Sequence, residues 1–437
     1  MSGAQTAQNI SPQLHDIAEM AASNPEWTFS NLSYRINPDL LHEAYKQTRK
    51  DGAVGVDKVT AEEYAGNLDE NLKHLHERLV SGQYKAPPVR RVWIDKEGGK
   101  KRPIGIPAFE DKILQKAATM VLNPIYDMDF YPFSYAFRKD FSQHMALHDL
   151  RECCIGMNIN WIYDADVSGY FNNINHCIMR ELIEKRVTDK GICSLIGKWL
   201  NAGVVEEDIL TYPDKGTPQG GVISPLLSNI YLHYALDEWY IKEVRPRLKG
   251  RSCLIRYADD FVVGFELEED ARRFMKVLPK RFNKYGLELN EDKTNLINFS
   301  KRINSSRKAK GESTFDFLGF THYRGKTRKG YYTIKRKTAK KKLSRFMKML
   351  WKWCRYNRHM PLKEQQGKLC SKLRGFYQYY GVRCNYEAMG AVYDYTYYAW
   401  RYWLSRRCHK GNIIWEKFLE SIKKKLKLPV PLIVHNI

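Results

Sequence analysis

The stretch "RYADDFVV", residues 256–263, constrains this chain more tightly than any other. Preceded by "SCLI" and followed by "GF", it sets bulky strand formers on both sides of two adjacent acids. The chain is therefore expected to run up to Asp259–Asp260 and back as a β-hairpin. Adjacent carboxylates at such a tip repel each other. A charged, solvated turn is the plainer account of one such pair, but a site for divalent cations turns the same repulsion into stabilisation once the ions bind. The choice depends on which other acids the fold brings near.

A second acidic strand lies upstream. In "WIYDADVSGYFNNI" large apolar residues alternate with acids, which puts Asp164 and Asp166 on one face. Earlier still, "INPDLLHEAYKQTRK" and "LDENLKHLHERLVSGQY" carry apolar residues at helical spacing, with Gly82 ending the second helix. "VRRVWIDKEGGKKRPIGIP" reads as a hairpin with a basic tip around Lys96, Gly98–Gly99 and Arg102, and "DKILQKAATMVLNPIYD" as a helix. Downstream, "KGTPQGGVISPLLSNIYLHYALDEWY" runs a Gly- and Pro-punctuated loop into a long helix. After the acidic hairpin come a helix, "EDARRFMKVLPKRFNKYG", and a strand, "LELNEDKTNLINF". Strand, helix, hairpin, helix, strand is the order of a small α/β palm. "SKRINSSRKAKGES" then reads as a linker.

At 437 residues the chain is too long for one core, so two or three domains are expected. Its net charge of +23 is segregated: residues 321–437 hold 29 Lys and Arg against 5 Asp and Glu, whereas residues 1–320 hold 43 against 44. In the last quarter the cations interleave with aromatic residues, as in "YDYTYYAWRYWLSRRCHK". A polyanionic partner follows, because phosphate binding is driven by counterion release and aromatic faces stack on bases. The 9 Cys show no C-x-x-C spacing, which argues against zinc fingers and disulfide frameworks. The first 25 residues lack the basic start and apolar run of a signal peptide, and no window is apolar enough to cross a membrane. A soluble, cytoplasmic protein with no membrane partner is expected.

A two-metal polymerase site needs an Asp from one strand beside an Asp on a neighbouring hairpin. Asp166 and Asp259 can supply that pair, with Asp260 as an auxiliary catalytic charge; spacing alone does not choose Asp166 over Asp164. The blocks "RPIGIPAFEDKILQKAATMVLNPIYD", "SYAFRKDFSQHMAL", "DADVSGYFNNINH", "GTPQGGVISPLLSNIYLHYALDEW", "RYADDFVV", "LELNEDKT" and "FDFLGF" together resemble a reverse transcriptase of the group II intron type, from about Trp27 onward. The resemblance implies an α+β, right-hand polymerase: an N-terminal extension (1–35), fingers and palm (36–310), and an α-helical thumb or maturase domain (311–437). It implies two Mg²⁺ ions, with Mn²⁺ a possible substitute, on Asp166, Asp259 and the Val167 carbonyl. It also implies nucleotide contacts at Lys96, Arg102, Phe171, Gln219 and Lys293, Phe171 being the ring that excludes a 2′-hydroxyl.

Template and primer would lie over Gly220 and Gly221, where missing side chains allow close approach. The basic helices "KRKTAKKKLSRFMKMLWKWCRYN", "KLCSKLRGFYQYYGV" and "VYDYTYYAWRYWLSRRC" match the thumb, which grips the duplex and intron RNA; Lys340, Lys341, Lys342, Arg374 and Arg401 are its candidate RNA contacts, with Tyr397 and Trp400 added if their rings are exposed. Implied partners are RNA template, intron RNA, a DNA primer or target and dNTPs. Many relatives carry acids where this chain has Asn172 and Asn175, and the family's C-terminal endonuclease pattern is missing, so a primer is expected from elsewhere. His144 and His148 stand four apart without a catalytic Glu between them and read as structural. Two alternatives remain: a free-standing relative in host defence or DNA repair, and an RNA-binding splicing factor that no longer polymerises.

Overall fold

The computed structural model describes residues 12–95, 99, 101–206, 209–212, 215–216, 220–300, 313–327, 329–407, 411 and 413–437. Among these residues the chain is a mixed α and β protein with three sheets. Helix α1 (Pro12–Ser23) packs on α2 (Phe109–Asp129). Leu14, Ile17 and Ala21 of α1, and Phe29 and Leu32 after it, are buried in the main core. The N-terminal segment is therefore part of the body from Leu14 onward, not an extension; its short i, i+3, i+7 stripe is diluted by small residues in the sequence.

The basic hairpin forms as expected from β1 (Val89–Asp95) and β2 (Lys101–Ile106), with Ile94 opposite Arg102. After α3 (Gln143–Gly156) comes β3 (Trp161–Asp166). Strands β4 (Val204–Glu206) and β5 (Ile209–Thr211) extend the hairpin to a sheet of order β2-β1-β4-β5. Helix α4 (Ser224–Leu232) continues through wider turns at His233–Asp237 and Tyr240–Val244. Strands β6 (Ser252–Tyr257), β7 (Asp260–Phe265) and β8 (Asn295–Asn298) complete an antiparallel central sheet of order β6-β7-β3-β8.

Both faces of this sheet are covered, which explains its nearly continuous apolar strands. Tyr163, Ala165, Phe261, Val263 and Phe265 face the main core with α2 and α4. Ile162, Ile255 and Val262 face a second core, closed by Phe315, Phe317, Phe320 and Ile334. Those closing residues come from β9 (Thr314–Phe317), β10 (Phe320–Lys326) and β11 (Tyr332–Thr338), an antiparallel sheet.

The stretch 314–338, expected to open an α-helical domain, is thus a sheet that packs on the central one. Buried charged residues hide its alternation: Arg324 is buried and donates to the carbonyls of Phe299 and Ile159, while Arg336 is buried on β11. Helical structure begins only at α5 (Lys340–Tyr356), followed by α6 (Leu362–Tyr380) and α7 (Tyr386–Leu404). These helices share a core of their own around Leu350, Leu369, Leu373, Met389 and Trp400. No helix among the described residues is long and apolar enough to cross a membrane.

Candidate active site

Register brings the two acidic segments together. Asp166, the last residue of β3, lies directly opposite Asp260, the first of β7. Tyr257 faces Asp260 from β6, leaving Ala258 and Asp259 as a two-residue turn. Ala258 has φ 57°, a left-handed conformation that costs an L-residue about 1–2 kcal/mol. Since directly opposed residues share a face, Asp164, Asp166, Asp260 and Tyr257 all belong to the second-core face of the sheet. The acids stand where that face runs out of apolar cover.

Crowding shows in their protonation. Burial first, then the carboxylates of Asp259 and Asp166, push Asp260 up to about 7, against the pull of Lys293 and Lys342. Because Asp260 keeps an exposed surface, the mutual repulsion is the cause that matters for ligand binding. Asp164 is raised to about 8 by burial, reinforced by Asp260, Asp316 and Asp166. The Lys293 ammonium meets Asp166 Oδ2 at 2.9 Å. Beyond Asp166 the chain is held by a neighbouring loop: Asn290 N donates to Asp166 O at 2.8 Å, and Ser168 N to Glu288 O at 2.8 Å, with the buried Val167 between.

An all-oxygen donor set whose members repel one another suits a hard cation. Among the described residues no group of three or more His, Cys, Asp or Glu is arranged to hold a metal ion by itself. Mg²⁺ does not require one, since it retains waters and takes its other oxygens from substrate phosphates.

Phe171 lies in a short helical turn, half-buried, its ring edge-on to Tyr170 at 5.3 Å; the Tyr170 hydroxyl donates to Ser228 O at 2.6 Å. The Gly-rich loop crosses close by. A Cβ on Gly216 would come within 3.0 Å of Phe171 O, and one on Gly220, at φ 117°, within 2.6 Å of Gly105 O on β2. Glycine at 220 is therefore required by contact with the hairpin sheet and by its backbone angle, and Gly221 is buried beside it. Arg102 is exposed on β2. Lys96 and Gln219 lie outside the described residues.

Lys340, Lys341 and Lys342 are exposed on the first turn of α5, a turn that itself contains no acidic residue. Cations there oppose the helix dipole, a cost of about 0.3–1 kcal/mol each that an anionic ligand would relieve. The pull of Lys342 on Asp260 places this turn near the carboxylates. Arg374 is exposed on α6.

The structure bears on three of the C-terminal candidates. Arg401 is turned inward, donating from Nη1 to Ile413 O at 2.7 Å and stacking 4.4 Å from the Trp415 ring centre. Tyr397 and Trp400 are buried: Leu428 N donates to the Tyr397 hydroxyl, and Trp400 Nε1 to Gln365 Oε1 at 2.7 Å. The accessible rings are their neighbours. Tyr398 is exposed, and Trp351 lies 6.2 Å from it and 4.7 Å from Tyr402, which carries Arg406 at 3.5 Å.

Asn175 caps the helix His176–Glu184 by accepting from Cys177 N and Ile178 N at 2.9 and 3.1 Å, a task Asp performs equally well. His144 bonds Tyr379 O at 2.8 Å and stacks on His435, in keeping with a structural role. Sequence reasoning missed Arg256, adjacent to the hairpin tip, and Asp316, whose outward position follows from the buried Phe315 and Phe317 on either side.

An acid pair of this register, Asp166 opposite Asp260 with Asp259 in the turn, is an arrangement of carboxylates that suits divalent cations. The sequence profile described as "Reverse transcriptase (RNA-dependent DNA polymerase)" matches residues 94–322, more than half the chain. The chain is 31% identical over 389 residues to protein YkfC of Escherichia coli K12, covering 78% of this chain and 97% of that one. It is 29% identical over 348 residues to the group II intron-encoded protein LtrA of Lactococcus lactis, covering 66% of this chain and 58% of that one. To the mitochondrial nuclear intron maturase 4 of Arabidopsis thaliana it is 24% identical over 231 residues, 51% of this chain and 27% of that one. This chain belongs to the reverse transcriptase family, in the branch of group II intron-encoded reverse transcriptases and maturases.

Proposed function

We propose that the chain is the RNA-directed DNA polymerase of a group II intron and that it also binds intron RNA as a maturase. The observation that carries this reading is Asp166 directly opposite Asp260 with Asp259 in the turn between β6 and β7. In the polymerase description the central sheet is the palm, the β1–β2 sheet the fingers, and α5–α7 the thumb. Asp166 and Asp259, with the Val167 carbonyl, would hold two Mg²⁺ ions, or Mn²⁺ in their place. Ions bound there supply activation of a primer 3′-hydroxyl and stabilisation of the departing pyrophosphate. Lys293, held at Asp166, stands ready to move its charge to a triphosphate.

Sugar choice would rest on Phe171, whose ring is half-buried and whose backbone carbonyl lies beside the Gly-rich loop. Phe171→Val opens space for a 2′-hydroxyl, so ribonucleotide incorporation relative to deoxynucleotide should rise roughly tenfold to a hundredfold. Competition assays at one template and one salt concentration check this. Unchanged selectivity would return the ring to plain packing.

The basic region would grip RNA. Replacing Lys340, Lys341 and Lys342 by Ala should weaken binding to all RNAs alike. The slope of log affinity against log salt should flatten by about 0.7–0.9 for each lost phosphate contact. Filter binding across salt, with intron RNA and an unrelated RNA of equal length, measures both. A slope equal to that of the wild type would contradict the assignment.

A further inference from the structure

We infer that Arg256, together with Asp237, is a positioning residue for the acidic turn: it holds the Ala258 carbonyl from beneath the sheet and so sets where Asp259 points. The inference rests on the polymerase reading above. Arg256 lies on β6 opposite Phe261, on the main-core face, away from the carboxylates. Its side chain is completely buried, as is that of Asp237.

All five guanidinium hydrogens have acceptors. Nε donates to Asp237 Oδ1 at 2.8 Å, and Nη2 to Asp237 Oδ2 and to Ser134 Oγ, the latter at 2.6 Å. Nη1 donates to Asn229 Oδ1 at 3.1 Å and to Ala258 O at 3.2 Å. A planar fork with every donor used has no freedom to rotate. Its own backbone is pinned as well, with Arg256 N donating to Phe133 O at 2.9 Å and accepting through its carbonyl from Tyr135 N at 3.0 Å.

The accepting carbonyl belongs to the residue in the left-handed conformation, φ 57°, one bond before Asp259. A strained, non-glycine turn persists only where its surroundings over-determine it, and the guanidinium is the group that does so here. Asp237 ends a wide helical turn, His233–Asp237, a distortion that often accompanies functional sites. Packing alone does not call for this arrangement. Apolar residues of similar volume commonly replace a buried ion pair without loss of stability, so a fully buried Arg aimed at a turn carbonyl points to geometry as its purpose.

The test compares wild type, Arg256→Lys and the double variant Arg256→Met/Asp237→Leu in the full chain. Three quantities are read: melting temperature, Mn²⁺ binding to the template–primer complex by electron paramagnetic resonance, and kcat and KM for primer extension. The double variant should melt with the wild type and keep its KM for template–primer. Its kcat should fall about a hundredfold, because a small displacement of an aligned group has an effect of that size. Its half-saturating Mn²⁺ should rise about tenfold.

Arg256→Lys keeps the charge but lacks the fork, and should show the same defects in weaker form. A folded double variant with wild-type kcat and Mn²⁺ binding would overturn the inference. If the double variant does not fold, Arg256→Lys decides on the same readouts; if neither folds, Arg256 belongs to the core alone and the inference fails. A wild type that neither extends primers nor binds Mn²⁺ would instead remove the polymerase reading, and this inference with it.

Discussion

Replacing Asp166 or Asp259 by Asn is expected to lower cDNA synthesis about a thousandfold or more while leaving RNA binding intact. Each substitution keeps the shape of the side chain and removes a charge that would hold a catalytic cation. Stabilisation of transition-state charge by such ions amounts to several kcal/mol, which sets the scale of the loss. RNA affinity should persist, because the basic excess lies in residues 321–437, with 29 cationic residues against 5 acidic ones.

Asp164→Asn should behave differently. The fold raises the Asp164 carboxyl to about 8, chiefly by burial, so at neutral pH it is protonated and close to an amide in charge and shape. A carboxyl raised on folding loses stability as pH climbs from the ordinary carboxylate range toward that value. Asn removes the loss, so Asp164→Asn should retain most activity and melt no lower than wild type at pH 7. Primer extension and thermal melts on the three variants check the contrast. An inactive Asp164→Asn beside an active Asp166→Asn would exchange their roles.

Trp400→Ala is expected to destabilise the C-terminal helices by about 3–5 kcal/mol, the usual cost of truncating a buried Trp. The ring is fully buried in the core shared by α5–α7. Its Nε1 satisfies Gln365 Oε1, whose Nε2 in turn donates to Arg358 O and Met360 O at 3.0 and 2.8 Å. Truncation therefore removes packing and leaves a buried acceptor without its partner. Urea unfolding followed by near-ultraviolet circular dichroism measures the loss. A Trp400→Ala protein of unchanged stability but poorer choice between RNAs would instead give Trp400 the RNA-contact role that the sequence allowed only to an exposed ring.

These residues mark how far the sequence could be read. "RYADDFVV" was legible because a strand with period two and a two-residue turn is a local pattern. Asp164 and Asp166 share a face, so only the register with Asp260, a long-range property, separates them. "YDYTYYAWRYW" is aromatic on every side of a helix, so periodicity cannot tell the buried Trp400 from the exposed Tyr398. The β9–β11 sheet escaped notice because Arg324 and Arg336 are buried where alternation predicts apolar side chains. Nothing local in the sequence marks Arg256 as buried, because its five acceptors come from segments as far away as Ser134.

The most direct test is primer extension by the purified full chain on an RNA template carrying a DNA primer, with dNTPs and Mg²⁺ and without other proteins. The account predicts full-length cDNA that stops on chelation of the metal and resumes when Mg²⁺ is restored. RNA binding without any extension, in Mg²⁺ or in Mn²⁺, would contradict it.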